Sequence, residues 1–316
     1  MNPLIVFLDR QSLPATLRSP AFPHRWVDYP QTNPEQVIER LQGACIAISN
    51  KVPITADMLS KLPDLQLIAV AATGVNQIDL AACKARGVTI CNVRDYARHT
   101  VPEHVMMLIL SLSRNLFAYR QSVQAGEWQQ SSQFCLSQHP VRDLADMTLG
   151  IFGRGSLGDG VVTLAKAFGM RVLFAERKGT TTTRPDYTPF DEVLRQADVI
   201  SLHLPANEST QHTLSHREFN LMQRHALVIN TARGSLIDEA ALIDALQQQR
   251  IGGAGLDVIS SEPPREGNPL LSLNLPNLII TPHCAWLGSG AITTLTDQLI
   301  GNIEAFVAGS PRHQVN

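Results

Sequence analysis

One stretch constrains the fold of this chain more than any other: Thr148-Leu149-Gly150-Ile151-Phe152-Gly153-Arg154-Gly155-Ser156-Leu157-Gly158. Leu149 to Phe152 is a short apolar run suited to a buried strand. Gly153, Gly155 and Gly158 follow at G-x-G-x-x-G spacing. Val161, Leu164, Ala165 and Phe168 then recur at helical intervals. A second strand is expected over 171–175, closed by Glu176, which stands 18 residues beyond Gly158. Strand, glycine turn, helix and an acid at the next strand end form a dinucleotide-binding signature. Gly153 permits the tight turn, Gly155 lets the backbone approach a pyrophosphate, and Gly158 lets the helix pack close to the strand. The N–H groups at the helix start, around Ser156 and Leu157, face an anion.

The rest of the chain repeats the same rhythm. Strands are expected at 4–8, 26–29, 45–49, 67–70 and 88–91, with helices at 34–41, 56–61 and 80–86 between them. Beyond Glu176, strands are expected at 198–202, 226–230, 254–257 and 278–281, with helices at 217–222 and 238–249. Alternation of this kind builds parallel sheets covered on both faces. Thr100 and Glu103 have capping-box spacing, with Pro102 in the first turn. The helix they open is expected to run to about Tyr119, and its apolar run from Val105 to Leu110 predicts burial on all sides. The last helix carries Ile292, Leu295, Leu299, Ile303 and Phe306 on one face and stops at Gly309 and Pro311.

The fold class is therefore α/β with two doubly wound parallel-sheet domains. A Rossmann dinucleotide-binding domain over 100–285 is inserted into a flavodoxin-like substrate domain made of 1–99 and 286–316, with a cleft between them. A chain of 316 residues is long enough for both. Its 44% hydrophobic and 17% charged residues argue against extended disorder. A net charge of −2 gives no electrostatic case for nucleic acid or an anionic membrane. The run from Val105 to Leu110 is too short to span a bilayer. Met1 to Arg10 lacks the basic start of a secretory signal. Five cysteines without C-x-x-C spacing are expected to be reduced thiols of a cytoplasmic protein, with no metal site. His212 and His216, four apart, read as a solvated pair.

Three polar residues fall just past strand ends, where open α/β sheets place ligands. They are Arg233 in Asn-Thr-Ala-Arg-Gly, Glu262 in Ser-Ser-Glu-Pro-Pro and His283 in Thr-Pro-His-Cys-Ala-Trp. A guanidinium fork suits the carboxylate and carbonyl of a 2-keto acid. An imidazole suits proton transfer to the alkoxide that a hydride leaves behind. A carboxylate beside that imidazole favours its charged form and fixes its orientation.

These motifs together resemble the D-2-hydroxyacid dehydrogenases over nearly the whole chain. Arg233, Glu262 29 residues on and His283 21 further on follow the family's order and approximate spacing. Residues 49–55, 172–179 and 281–286 resemble the bacterial glycerate dehydrogenases, also called hydroxypyruvate reductases. The resemblance implies a catalytic set of Arg233, Glu262 and His283. It implies a substrate-binding set of Lys51, Gly74, Val75, Asn76, Arg233 and His283, with backbone amides of 72–76 meeting the substrate carboxylate. It implies cofactor contacts from Thr100, Gly153, Arg154, Gly155, Ser156, Leu157, Gly158, Glu176, Arg177, Lys178, His203, Pro205, Thr210, Thr231, Ala232, Arg233, Asp257 and His283, with Asp257 holding the nicotinamide carboxamide. A homodimer is implied, with 120–143 as the arm. The segment Leu287-Gly288-Ser289-Gly290 departs from the family's usual continuation.

The expected cofactor is NAD, because Glu176 should accept from ribose hydroxyls and repel a 2′-phosphate. NADP stays open, because Arg177 and Lys178 could cradle that phosphate. The expected reaction is hydride transfer between NAD(H) and a small D-2-hydroxy acid or 2-keto acid, with hydroxypyruvate/D-glycerate and glyoxylate/glycolate foremost. A nucleotide-sensing corepressor of the same fold with little turnover is the alternative from another class. An enzyme of the same fold acting on formate or phosphite is a further one.

Overall fold

The computed structural model describes residues 2–316; Met1, which opens the first expected domain segment, lies outside the described residues. The chain divides into two compact units, one holding residues up to Tyr96 together with Gly288–Asn316, the other Ala97–Leu287.

The first unit contains β1 (Leu4–Phe7), β2 (Arg25–Asp28), α1 (Val37–Arg40), β3 (Ile46–Ser49), α2 (Ala56–Ser60), β4 (Leu67–Val70), α3 (Leu80–Ala85) and β5 (Thr89–Cys91). Its five strands are parallel in the order β2-β1-β3-β4-β5. Every residue of β3 and β4 is buried, as strands covered on both faces require. The helix expected at 34–41 begins as a turn of 3-10 helix at Pro34–Gln36 before α1. Thr55 and Asp79 cap α2 and α3 by accepting from Met58 N–H and Ala82 N–H.

The second unit contains α4 (Thr100–Ser113), α5 (Leu116–Gln124), α6 (Glu127–Gln130), β6 (Thr148–Phe152), α7 (Ser156–Ala167), β7 (Arg171–Phe174), α8 (Phe190–Gln196), β8 (Val199–Leu202), α9 (His216–Leu221), β9 (Leu227–Asn230), α10 (Glu239–Gln247), β10 (Gly253–Leu256) and β11 (Leu278–Ile280). Its six strands are parallel in the order β11-β10-β9-β8-β6-β7. The order reverses between β6 and β8, which makes their carboxyl ends the switch point of the sheet. Val193, Leu194, Ile200, Val228, Leu242 and Leu246 are the centre of a core between this sheet and α8, α9 and α10.

The last helix, α11 (Ser289–Val307), belongs to the first unit and packs against β4. Leu295, Leu299 and Ile303 are fully buried. Asn302, also buried, donates to the Asn92 carbonyl at 2.8 Å. The Arg18 guanidinium grips Glu304 through two contacts of 2.6 Å.

Three sequence expectations are corrected here. Thr100 is not a helix cap: His99 holds that position without a side-chain cap, and the Thr100 hydroxyl donates to the Ala285 carbonyl at 3.3 Å. The helix opening there does not reach Tyr119. It ends at Ser113, and Asn115 turns the chain in the left-handed region (φ 48°) before α5 starts. Nor is it buried on all sides, since Met107 is 43% exposed while Val105, Leu108 and Ile109 are buried. A run of apolar residues hides which one faces outward. His212 and His216, expected to be solvated, are both exposed, with His212 outside α9.

Candidate active site

The glycine turn sits at the switch point of the second sheet. Gly153 follows β6 with φ 106°, and a Cβ there would come within 2.6 Å of the His203 carbonyl oxygen, just beyond β8. The two strand ends thus meet without a side chain between them. A Cβ on Gly158 would come within 2.4 Å of the Gly153 carbonyl oxygen, so α7 rests on the turn. A Cβ on Gly155 would meet nothing within 4 Å, which leaves open space before the first turn of α7. Gly155 caps α7 with no side-chain bond to its N–H groups. Free amides at the positive end of a helix, facing open space, fit a pyrophosphate. His203 is held to Ser201 Oγ at 2.9 Å, and burial pushes its imidazole down to about 4. It is a neutral ring near pH 7.

At the neighbouring strand end, a pocket of about 630 Å³ is lined by Gly153, Arg154, Glu176, Arg177, Lys178, Pro205 and Thr210 among others. Seven residues assigned to the cofactor from sequence therefore share one hollow. Thr210 Oγ1 donates to the Pro205 carbonyl at 2.6 Å, which closes that wall. Glu176 is buried and takes contacts from Arg184 and from the Arg177 and Arg184 amides; these hold its carboxyl down to about 2. Lys178 turns away toward Glu218 at 3.0 Å.

Thr231, Ala232, Arg233, Asp257 and His283 lie at the carboxyl ends of β9, β10 and β11, three adjacent strands. The Asn230 side chain pins the first of these turns. It accepts from Ala232 N–H at 3.0 Å and donates to the Arg233 carbonyl at 2.9 Å. A Cβ on Gly234 would lie 2.0 Å from the Ile259 carbonyl oxygen, so the loop after β9 presses directly on the loop after β10. Glu262 Oε1 accepts from Ile259 N–H at 2.9 Å, and its Oε2 meets His283 Nδ1 at 2.5 Å. The His283 amide donates to the Asp257 carbonyl at 2.8 Å. Both side chains of the pair are about 30% exposed. An imidazole anchored at Nδ1 by a carboxylate keeps Nε2 for proton transfer.

Asp257 is buried and its carboxylate accepts from Thr281 Oγ1 at 2.6 Å and from the Cys284 and Ala285 amides, each at 2.9 Å. The Cys284 thiol adds a side-chain contact to the same carboxylate. Thr231 Oγ1 is buried without a hydrogen-bond partner. A buried polar atom left unpaired, one residue past the end of β9, suits a polar ligand such as a carboxamide.

In the first unit, Lys51 follows β3 and residues 72–76 follow β4, at neighbouring strand ends. The Asp9 carboxylate accepts from Asn50 N–H at 3.0 Å and Lys51 N–H at 2.7 Å. The 72–76 loop is fixed by Thr73 Oγ1 donating to the Val93 carbonyl at 2.8 Å and by Asn92 donating to the Thr73 carbonyl at 2.7 Å.

Two residues that the sequence reading missed stand in these sites. Arg184 holds Glu176 from an irregular loop, where no periodicity marks it. His104 on α4 meets Thr281 Oγ1 at 3.0 Å and Asp257 Oδ1 at 3.6 Å. One polar residue opening the apolar run of 105–110 was the available signal. Burial pushes the His104 imidazole down, against the pull of Asp257. His104, Asp257 and Cys284 bring potential ligand atoms within 4.8 Å of one another. Burial and the Asp257 charge push the Cys284 thiol up.

The family profile described as D-isomer specific 2-hydroxyacid dehydrogenase, NAD binding domain, matches residues 106–285. A glycerate dehydrogenase of Methylorubrum extorquens is 49% identical over 316 residues, covering 100% of this chain and 99% of that protein. Among solved structures, an acyclic imino acid reductase in complex with NADPH and D-Arg superposes with a TM-score of 0.86 at 29% identity, covering 99% of this chain and 100% of that one. A D-lactate dehydrogenase from Aquifex aeolicus complexed with NAD and lactic acid gives 0.81 at 29% identity, covering 97% and 96%.

Proposed function

The chain belongs to the D-isomer specific 2-hydroxyacid dehydrogenase family and is an NAD(P)-linked oxidoreductase of 2-hydroxy acids, and from that premise we propose that it interconverts hydroxypyruvate and D-glycerate, and reduces glyoxylate to glycolate. The 49% identity to a glycerate dehydrogenase over the full chain supports this choice of substrate. The observation that carries the mechanism is the 2.5 Å contact between His283 and Glu262.

Bound in the second unit, the dinucleotide supplies or takes up the hydride. Arg233 holds the substrate carboxylate and polarises the carbonyl oxygen. His283, protonated, gives its Nε2 proton to the oxygen as the alcohol forms, and takes it back in the reverse direction. Glu262 holds the imidazole turned for that transfer through its contact with Nδ1. In the first unit, Lys51 and the amides of Gly74, Val75 and Asn76 add donors for the substrate carboxylate. In this reading 1–99 and 286–316 serve the substrate and 100–285 holds the dinucleotide while lending Arg233 and His283 to the substrate; the compact units divide a few residues away, at 96/97 and 287/288.

A homodimer is part of the reading. Leu116, Phe117, Val123, Trp128 and Phe134 are large apolar side chains left exposed within or beside the 120–143 arm, and a second copy would cover them. Among the described residues no helix is long and apolar enough to cross a membrane. A cytoplasmic location is favoured by five cysteines that are all free thiols.

Initial rates over a panel of 2-keto acids test the assignment. Hydroxypyruvate should give the highest kcat/KM. Arg233→Ala should lower that value roughly 10²-fold or more by removing the charge that meets the developing oxyanion. Near-wild-type turnover of every acid by this variant would end the assignment.

A further inference from the structure

We propose that Arg184 sets the cofactor preference of this chain: by occupying Glu176 it makes the adenosine-ribose corner accept the 2′-phosphate of NADP(H) at least as readily as the bare hydroxyl of NAD(H). The proposal rests on the dehydrogenase reading above and reverses the preference that Glu176 suggests when read alone.

An acid at the end of the second strand normally selects NAD in two ways. Its oxygens accept from the ribose hydroxyls, and its charge repels a 2′-phosphate. Both depend on a free carboxylate. The Glu176 carboxylate is fully committed. Arg184 Nη2 donates to Oε1 and Arg184 Nε to Oε2, each at 2.8 Å. The Arg177 amide donates to Oε1 at 2.8 Å and the Arg184 amide to Oε2 at 3.0 Å. Four donors fill the positions a carboxylate offers, and no acceptor position is left for ribose. The guanidinium is fixed as well, with its carbon 3.7 Å from the centre of the Tyr187 ring. Held down to about 2, the carboxylate stays ionised and cancels one positive charge, that of Arg184.

What remains in the corner is positive. Arg177 is exposed, lines the pocket and forms no ion pair among the described residues. Arg154 lies 4.5 Å over the Phe174 ring on the same wall, with only a loose contact of 3.6 Å to Asp159. A phosphate brings two charges to these cations, and a bare hydroxyl brings none. The balance of charge therefore favours the phosphorylated cofactor, with Arg184 as the residue that tips it.

The test is equilibrium binding, independent of turnover. NADPH and NADH are titrated separately into the full-length protein at low ionic strength and followed by nicotinamide fluorescence. Adenosine 2′,5′-bisphosphate is then used to displace bound NADH. The wild type should bind NADPH at least as tightly as NADH, and the bisphosphate should compete. Arg184→Ala should weaken NADPH at least tenfold while NADH stays within a factor of two or tightens. Arg184→Gln should behave in the same way, which guards against a folding defect in one variant. Glu176→Gln should free the guanidinium and tighten NADPH relative to NADH. Wild-type binding of NADPH more than tenfold weaker than NADH overturns the proposal and leaves the dehydrogenase reading standing. So does an NADPH-to-NADH affinity ratio that Arg184→Ala leaves unchanged. Failure of both cofactors to bind overturns the proposal and that reading together.

Discussion

His283 and Glu262 carry the proposed proton transfer as a pair, and a single substitution separates their contributions. Reduction consumes the imidazolium proton, so its rate should fall as pH rises, and oxidation should show the opposite trend. Glu262→Gln keeps the shape of the side chain that meets His283 but removes its charge. The reductive kcat should then fall roughly tenfold or more, because the proton donor loses the carboxylate facing it. Unchanged reductive turnover would separate Glu262 from the chemistry. A second imidazole leaves its mark on stability. His203 titrates near 4 in the fold and near about 6.5 when unfolded. Between these values the unfolded chain binds the extra proton, so stability is lost as pH falls through this window. His203→Asn should flatten that acid limb by up to about 1.4 kcal/mol per pH unit, read from urea midpoints between pH 4 and 6.5. His104, also lowered by burial, adds to the same limb and stays in the variant. The catalytic candidates were legible because each sits within six residues of the end of an apolar strand. Arg184 was not, because its loop has no period and its partner lies eight residues back.

At the scale of elements, the parallel strands were readable because burial on both faces leaves uninterrupted apolar runs such as Leu67 to Val70. The break between α4 and α5 was not readable. Arg114 and Asn115 fit the helical pattern, and only the left-handed turn at Asn115 ends it. The same limit applies where loops touch, since sequence spacing says nothing of which turn presses on which. Gly234 shows the consequence. Its missing side chain lets the Arg233 turn lie against the Ile259 and Ser260 backbone, with Ser260 held by Glu239 through contacts of 2.6 and 2.9 Å. Gly234→Ala places a methyl group against backbone that cannot rotate aside. The expected cost is on the order of 1–3 kcal/mol, visible as a lowered denaturation midpoint. Turnover should fall further than stability accounts for, because the Arg233 and Glu262 loops are forced apart. Wild-type stability and turnover together would show that the two loops are not locked.

For the whole molecule, the sequence rhythm conveyed two parallel sheets, and the structure gives each unit its own apolar core. Two cores allow a ligand to stabilise one unit without making any contact in the other. The dinucleotide motifs fall within residues 97–287, and the loops at 51 and 72–76 belong to the other unit. NADH at 100 times its Kd should therefore stabilise the second unit by about 2.7 kcal/mol, the linkage expected of a ligand that binds only the folded form. Hydrogen exchange resolves where that energy appears. Amides at 153–158, at 203–210 and in β6 and β8 should gain protection, because opening the switch point requires release of the cofactor. Amides in the centres of β3 and β4 open only with their own core, so NADH alone should leave their exchange unchanged. Protection appearing first in β3 and β4 would place the dinucleotide on the wrong sheet and remove the physical basis for assigning Gly153, Gly155 and Gly158 to its pyrophosphate.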